Sequence, residues 1–390
     1  MATVNDESWP PNKSHHVGNP RTHFQNPWPS FRTLRPLNFL KARFSSNRNF
    51  VPVPEDREEL VSVRKPGWGA AVDPQQRKLK ATWIGHASWL VETPAVVEGN
   101  AQEETPDGLR GIRILLDPVF SERTSPFSFI GPKRYTRTPC TISELPEVDI
   151  VCISHSHYDH LDSVTVKELA SRSARTHFLC GLGLKDFFVG HGIAHSRVTE
   201  CDWWQAVDCH VKSAGTMRLV CTPAQHNSAR SWNDSAKTLW CSWAMGSPYE
   251  AGVSAVKTED VTIRVCNVPD ETDEASENFL KAPRLYFAGD TGYRTVTVPD
   301  PTLEEAAKYP HCPAFSTIGA VLGPFDLALL PIGLCLPRDI MSSVHCCPED
   351  AVCVSRDIKA KKSIGMHYGT VRGGISGQYE GKRCCLAFHA

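Results

Sequence analysis

Ser154-His-Ser-His-Tyr-Asp-His160 places three imidazoles and a carboxylate, on His155, His157, His160 and Asp159, directly after an apolar run. Imidazole and carboxylate are ligands of zinc and related divalent ions. A His-x-His pair in extended backbone points both rings to one side, which leaves Asp159 and His160, past the turn, to face a second ion. Two ions need more donors than these four. His226 follows Thr222-Pro-Ala-Gln, Asp290 closes Leu285-Tyr-Phe-Ala-Gly-Asp, and His367 closes Ser363-Ile-Gly-Met-His. Taken alone, a His or Asp at a strand end is more often a cap or a core residue. Together the three supply what the cluster lacks, including a carboxylate able to bridge two ions.

Elements that could position such donors surround them. Residues 80–92 read as strand, loop, strand, and 112–116 form a short apolar run that ends at Asp117-Pro118. Between them, 93–110 form an acidic, Gly/Pro-bearing hairpin loop. Residues 149–154 have the texture of a buried strand, and 218–222, 239–243, 284–288 and 327–332 read as further short strands. Val164, Val166, Leu169 and Ala170 give Ser163–Arg172 a helical spacing, and Pro348 near a first turn opens a helix running to Asp357. Residues 270–278, within 247–283, read as a disordered surface insertion. Many strands mixed with helices predict an α/β sandwich.

The 390 residues suit one large α/β domain or two ordinary ones. With 41% hydrophobic and 22% charged residues there is enough apolar material for a core. Lys+Arg 42 against Asp+Glu 43 leaves a net charge of -1, which argues against attachment to nucleic acid by an overall field. The 15 cysteines are scattered and form no Cys-x-x-Cys, and residues 1–20 lack an apolar signal core. Reduced thiols in a cytoplasmic protein are the simpler expectation, and no apolar stretch is long enough to span a membrane. Residues 1–50 read as a Pro/Arg-rich arm, 51–370 as the catalytic domain with insertions near 94–110 and 247–283, and 371–390 as a divergent tail. In the arm, Arg32, Arg35, Lys41, Arg43 and Arg48 interleave with Leu34, Leu37, Phe39, Leu40 and Phe44. That pattern suits packing on the domain or peripheral contact with an anionic membrane surface.

The His-x-His-x-Asp-His run, followed by separate His, Asp and His candidates, resembles the signature of the metallo-β-lactamase superfamily. Within it the chain is similar to the N-acyl-phosphatidylethanolamine-hydrolysing phospholipase D family. That similarity rests on Asn26-Pro-Trp-Pro29, Thr82-Trp-Ile-Gly-His-Ala87, Gly131-Pro-Lys-Arg134, Ser143-Glu-Leu-Pro146 and Asp202-Trp-Trp204. It continues through Phe287-Ala-Gly-Asp-Thr-Gly-Tyr293, Gly323-Pro-Phe-Asp326 and Pro331-Ile-Gly333. The resemblance implies an αββα four-layer sandwich with a dinuclear site on the sheet edges. It implies that His155, His157 and His226 hold one ion, Asp159, His160 and His367 the other, and that Asp290 bridges. Two Zn2+ are the expected ions, with iron or manganese as second choice.

The implied reaction is hydrolysis of N-acyl-phosphatidylethanolamine to N-acylethanolamine and phosphatidic acid by a metal-bridging hydroxide. Catalytic roles would fall to Asp159, through its ion, and to His345, facing the head group and the leaving alkoxide. His86 reads as supporting a ligand rather than binding metal, Lys133 and Arg134 as lipid-phosphate contacts or ordinary surface charge, and Trp203 and Trp204 as core. The alternatives are another ester, lactone or phosphodiester hydrolysed by the same metals, or a catalytically impaired membrane-associated homologue. A phospholipid and a peripheral membrane surface are the expected partners, a homodimer is allowed, and nucleic acid is not expected.

The chain departs from the family pattern in three places. Val344 precedes His345 where the family tends to carry Gln, which removes a polar substrate contact. Asn227 follows His226 where an aromatic is usual, which is expected to reshape the acyl groove. Residues 371–390 carry no amphipathic pattern, so His367 is the ligand expected to lose packing support.

Overall fold

The computed structural model describes residues 13–33, 55, 61–69, 78–95, 110–127, 129–212, 214–231, 233–246, 261–267 and 274–371. Near the N-terminus β1 (His16–Val17) pairs with β2 (His23–Phe24). A six-stranded sheet follows in chain order: β3 (Lys80–Gly85), β4 (Ser88–Glu92), β5 (Arg113–Leu116), β6 (Ile150–Cys152), β7 (His177–Gly181) and β8 (Val198–Cys201). It is antiparallel from β3 to β5 and parallel from β5 to β8.

The second, seven-stranded sheet is built from β9 (Gln205–Val211), β10 (Gly215–Thr222), β11 (Ser242–Gly246), β12 (Val261–Asn267), β13 (Arg284–Phe287), β14 (Leu327–Pro331) and β15 (Ser363–Met366). Its order is β12-β9-β10-β11-β13-β14-β15, antiparallel up to β13 and parallel beyond it.

Strand alternation explains how the layers form. Trp89, Val91, Ile114, Leu116, Ile150, Cys152 and Leu179 share one core with Leu219, Cys221, Trp243 and Leu285 of the second sheet. The residues between them, Leu90, Leu115, Val151, Phe178 and Cys180, form a second core with Leu169 of α1 (Ser163–Arg172) and Phe188 of α2 (Lys185–Gly190). Strands buried on both faces read as continuous apolar runs, so the two faces cannot be separated by hydrophobicity alone.

On the far side of the second sheet, α5 (Ala314–Val321) and α7 (Pro348–Asp357) bury Phe315, Ile318, Ala351 and Val354. Three further helices, α3 (Glu274–Lys281), α4 (Leu303–Ala307) and α6 (Arg338–Met341), lie in the connections. The result is the expected αββα sandwich.

Several elements differ from the sequence expectation. Within the 247–283 insertion, residues 261–267 form β12, and α3 at 274–281 overlaps the 270–278 stretch expected to be disordered; Phe279 of α3 is buried against the β11 end at Gly246. Helix α1 has the expected bounds, yet Val164 is 62% exposed while Thr165 is buried. Asp162 caps the helix by accepting from Val164 N–H and also accepts from Thr165 Oγ1, whose oxygen in turn receives Phe120 N–H. Polar partners thus override apolar spacing at that turn. The strand expected at 239–243 lies at 242–246.

Residues 13–33 pack on the domain. Phe24 is buried, Trp28 stacks on Trp203 at 5.3 Å, and Asn26 Nδ2 donates to His226 O at 2.7 Å. The basic stretch 34–50, the loop 96–109 and the tail 372–390 lie outside the described residues. Among the described residues no helix is long and apolar enough to cross a membrane.

Candidate metal centre

The parallel strands of both sheets end at one edge, and the candidate residues sit just beyond those ends. β6 leads through Ile153 into Ser154–His160, β10 leads to His226, β13 to Asp290 and β15 to His367. The 154–161 loop is held from outside by Arg230, whose Nη1 donates to Ser156 O (2.8 Å) and Leu161 O (2.7 Å). The Arg230 guanidinium also lies 4.0 Å over the Tyr158 ring. Gly289, at φ +58°, lets β13 pass this loop: a Cβ there would come within 2.5 Å of Ser154 Cβ.

All seven expected ligands converge. His155 Nε2 and His157 Nδ1 are 2.8 Å apart, and His226 Nε2 lies 3.3 Å from His157 Nδ1. His160 Nε2 and His367 Nε2 are 3.1 Å apart, and Asp159 Oδ2 lies 3.7 Å from the first and 3.5 Å from the second. Asp290 reaches both groups. Its Oδ2 is 3.1 Å from His160 Nε2, 3.8 Å from His226 Nε2 and 4.0 Å from His155 Nε2, and its Oδ1 is 3.1 Å from His367 Nε2.

Outer partners orient the imidazoles. Asp117, just past β5, accepts from His160 Nδ1 (2.6 Å), Ser154 Oγ (2.5 Å) and Ser154 N–H (2.7 Å). With its hydroxyl proton committed to Asp117, Ser154 Oγ is left to accept from His155 Nδ1 at 2.9 Å. His226 Nδ1 donates to Val344 O at 2.9 Å. In each of these three rings Nδ1 is engaged as a donor, which turns Nε2 inward as the nitrogen a metal would take. The contact from Val344 is through its backbone, so the side chain at that position does not affect it.

The electrostatics fit divalent cations. Burial pushes the pKa of His155 and His226 well down, aided for His155 by the neighbouring imidazoles of His160, His226 and His157. Burial would raise the pKa of Asp290 and Asp159, but the histidines around each hold both well below the ordinary carboxylate range. For His160, burial opposes a charge, while Asp290, Asp159 and the hydrogen bond to Asp117 outweigh it and push the pKa well up. Two ionised carboxylates thus stand among inward-facing ring nitrogens, with Asp290 buried between His160 and His367. Nitrogen and oxygen donors of this kind suit zinc, and iron or manganese after it.

His86 lies on the β3–β4 turn at φ +53°, and His367 follows β15 at φ +63°. Such non-glycine conformations cost on the order of 1 kcal/mol each and are common at functional sites. Here backbone bonds hold them: His367 N–H donates to His86 O (2.9 Å), and His86 N–H donates to Thr370 Oγ1 (2.8 Å). Further along, Tyr135 N–H donates to Thr370 O (2.9 Å) and Thr136 Oγ1 to Gly369 O (2.5 Å). His367 is therefore clamped by residues on its near side; the tail 372–390, on which the expected loss of support rested, lies outside the described residues. The His86 side chain bonds Asp159 Oδ2 at 2.9 Å, as a support for that ligand would.

His345 is drawn inward, with Nδ1 3.7 Å from Asp290 Oδ2 and its ring 5.4 Å from that of His226. Burial, against the pull of Asp290, lowers its pKa to about 4. A neutral imidazole can orient a head group but delivers a proton poorly at neutral pH, which counts against the acid role. Lys133 lies at the surface paired with Glu122 at 3.2 Å, and Arg134 donates to Val119 O and Thr136 O. Trp203 and Trp204 are buried, Trp203 donating through Nε1 to Trp240 O at 2.7 Å.

Asp117, Ser154, Arg230, Asn26 and Thr370 had no place in the sequence reading of the site. The Asp-Pro that ends an apolar run was the one available signal, for Asp117. His157 and Asp159 are the ligand candidates that are partly exposed, with the Asp159 side chain 22% exposed, so substrate has access on their side.

Residues 112–261 match the β-lactamase superfamily domain. The chain is 32% identical to an N-acyl-phosphatidylethanolamine-hydrolysing phospholipase D of Caenorhabditis elegans, over 91% of this chain and 83% of that protein. It is 31% identical to an uncharacterised protein of Mycobacterium tuberculosis, over 85% of this chain and 67% of that one. A mitochondrial N-acyl-phosphatidylethanolamine-hydrolysing phospholipase D of Saccharomyces cerevisiae is 28% identical, over 91% of this chain and 68% of that protein.

Proposed function

Since the chain belongs to the metallo-β-lactamase superfamily of metal-dependent hydrolases and, within it, to the N-acyl-phosphatidylethanolamine-hydrolysing phospholipase D family, we propose that it is a zinc-dependent phosphodiesterase. Its substrate in this reading is N-acyl-phosphatidylethanolamine, cleaved to N-acylethanolamine and phosphatidic acid. The observation that carries the dinuclear chemistry is Asp290, one carboxylate in reach of nitrogens from both ligand groups. The substrate assignment is supported by the two named relatives, each aligned over 91% of this chain.

In this reading His155, His157 and His226 would hold one ion and Asp159, His160 and His367 the other, with Asp290 in reach of both groups. Bound there, two divalent ions supply water of lowered pKa and positive charge for the oxygens of the phosphoryl group. Asp117 and Ser154 fix the tautomers that present the lone pairs, and His86 steadies Asp159. His345 hydrogen-bonds the head group as a neutral imidazole. The rigidity of these supports matters because a misplacement of about 1 Å costs on the order of a hundredfold in rate.

The test is elemental analysis of the purified chain, with turnover of N-acyl-phosphatidylethanolamine in mixed micelles and Asp290→Asn as control. Zinc at two per chain, with turnover lost in the variant, supports the reading. Bound metal without turnover of this lipid sinks the substrate assignment and leaves a hydrolase of another ester, lactone or phosphodiester.

A further inference from the structure

Between β5 and β6 the chain makes a hairpin that none of the metal chemistry uses. Arg123 bridges Lys133 in antiparallel fashion, Thr124 N–H donates to Pro132 O (3.1 Å) and Arg134 N–H to Glu122 O (2.8 Å). The tip is held as firmly. Ser125 Oγ donates to Ile130 O (2.5 Å) and accepts from Phe127 N–H (3.0 Å), while Arg123 Nη1 donates to Gly131 O (2.7 Å). Gly131, at φ +101°, is needed here: a Cβ would lie 2.4 Å from Ser125 Cβ.

The tip displays Phe127, Phe129 and Ile130, exposed by 54%, 77% and 58%. The two phenyl rings pack on each other at 5.6 Å, and none of the three side chains joins either core. Single exposed apolar residues need no explanation, but three grouped on one hairpin tip do.

Charge around the tip selects its partner. Residues 118–138 carry Arg123, Lys133, Arg134 and Arg137 against the single acid Glu122, in a chain whose overall charge is -1. At the hairpin base a cavity of about 480 Å³ is lined by Lys133, Arg134, Arg137 and Thr138 among others. The same base packs on the segments that carry His86 and His367. Arg134 Nη2 lies so near Gly85 that a Cβ there would come within 2.7 Å of it, and Gly85 precedes His86. Tyr135 and Thr136 bind the loop after His367.

We propose that this hairpin is an interfacial dock: Phe127, Phe129 and Ile130 enter the acyl boundary of an anionic membrane, and the basic base meets its head groups. Apolar side chains beside basic ones are the combination that binds such surfaces. The inference rests on the lipid reading of the metal centre, which it deepens by placing that centre's flank against the membrane.

Flotation of the full chain with phosphatidylcholine/phosphatidylserine vesicles, and with phosphatidylcholine alone, tests it. A Phe127→Ser/Phe129→Ser/Ile130→Ser variant is expected to bind the mixed vesicles about tenfold more weakly or worse. It should hydrolyse vesicle-borne N-acyl-phosphatidylethanolamine correspondingly less, yet turn over a water-soluble aryl phosphodiester as the parent does. Arg137→Glu should weaken binding to the mixed vesicles and leave binding to the neutral ones unchanged. Vesicle binding by the triple variant equal to the parent's overturns the dock. So does a parent dimer that becomes monomeric in the triple variant without loss of vesicle binding, which assigns the tip to a second copy of the chain. A parent that floats through its tip but does not cleave the lipid keeps the dock and sinks the substrate reading.

Discussion

Two clusters in this molecule join histidines to aspartate, and they are wired in opposite senses. At the sheet edges, His155, His160 and His226 direct Nδ1 to Ser154, Asp117 and Val344 O, so their Nε2 atoms converge on Asp290. At the N-terminal segment, His15 Nε2 and His16 Nε2 both address Asp202, at 2.7 Å and 3.0 Å, and Lys13 Nζ stands 3.3 Å from the same carboxylate. There both ring nitrogens can only donate to the carboxylate, and His15 is stacked on Trp203 at 4.2 Å. The first arrangement turns ring nitrogens toward a place a cation could occupy; the second is a hydrogen-bonded staple that ties residues 13–33 to the Asp-Trp-Trp segment. Residue types alone do not separate a metal site from a staple; the partner of the other ring nitrogen does.

The contrast can be broken by experiment, most severely at Asp290. Asp290→Asn is expected to lower kcat/KM by on the order of a thousandfold or more and to reduce the metal-to-protein ratio. Full metal content with normal turnover would remove Asp290 from the centre. Next comes the outer partner. Asp117→Ala leaves His160 Nδ1 and Ser154 without their acceptor, so zinc affinity measured by chelator competition should fall about 10- to 100-fold.

Asp202→Asn should act on stability instead, costing about 1–3 kcal/mol in urea unfolding while bound metal stays constant. Loss of metal in that variant would mean that the two clusters are coupled, through Asn26 and the His226 carbonyl.

The pH dependence sharpens the same point. Burial opposes the charge on Asp202, but hydrogen bonds from His15 and His16 hold its pKa well below the ordinary value. A depressed carboxylate contributes stability that is present above its unfolded pKa, about 3.9, and is lost as pH falls through the folded value. Parent and Asp202→Asn stabilities should therefore converge on acidification below about pH 4, and a constant gap would count against the staple. The smallest effect is expected at Lys13, 67% exposed, where Lys13→Ala should cost less than about 1 kcal/mol in the same assay.

Legibility in the sequence followed local physics. Helices Ser163–Arg172 and Pro348–Asp357 were bounded as expected, because an Asp cap and a first-turn proline act within one turn of chain. The facing of Val164 and Thr165 was not legible, since it depends on Phe120, distant in sequence. β7 and β8 escaped notice as short runs whose burial depends on neighbours in the sheet, and α3 was hidden by polar composition although Phe279 anchors it. Among the site residues, the metal-type ligands stood out because imidazole and carboxylate at such spacing are rare. Ser154, Arg230 and Asn26 are ordinary residues whose work is visible only once distant strands meet.

By itself, then, the sequence determined the donor set, the two-sided burial of the strands and the family to which they belong, because residue type and short spacing encode these directly. Only the tertiary structure decided which nitrogen of each imidazole faces inward, that Asp290 touches both ligand groups, and that His367 is clamped by His86. It also decided that His15, His16 and Asp202 make a staple. Each of these depends on hydrogen bonds between segments far apart in the chain, and pairing across a fold is not written in local spacing.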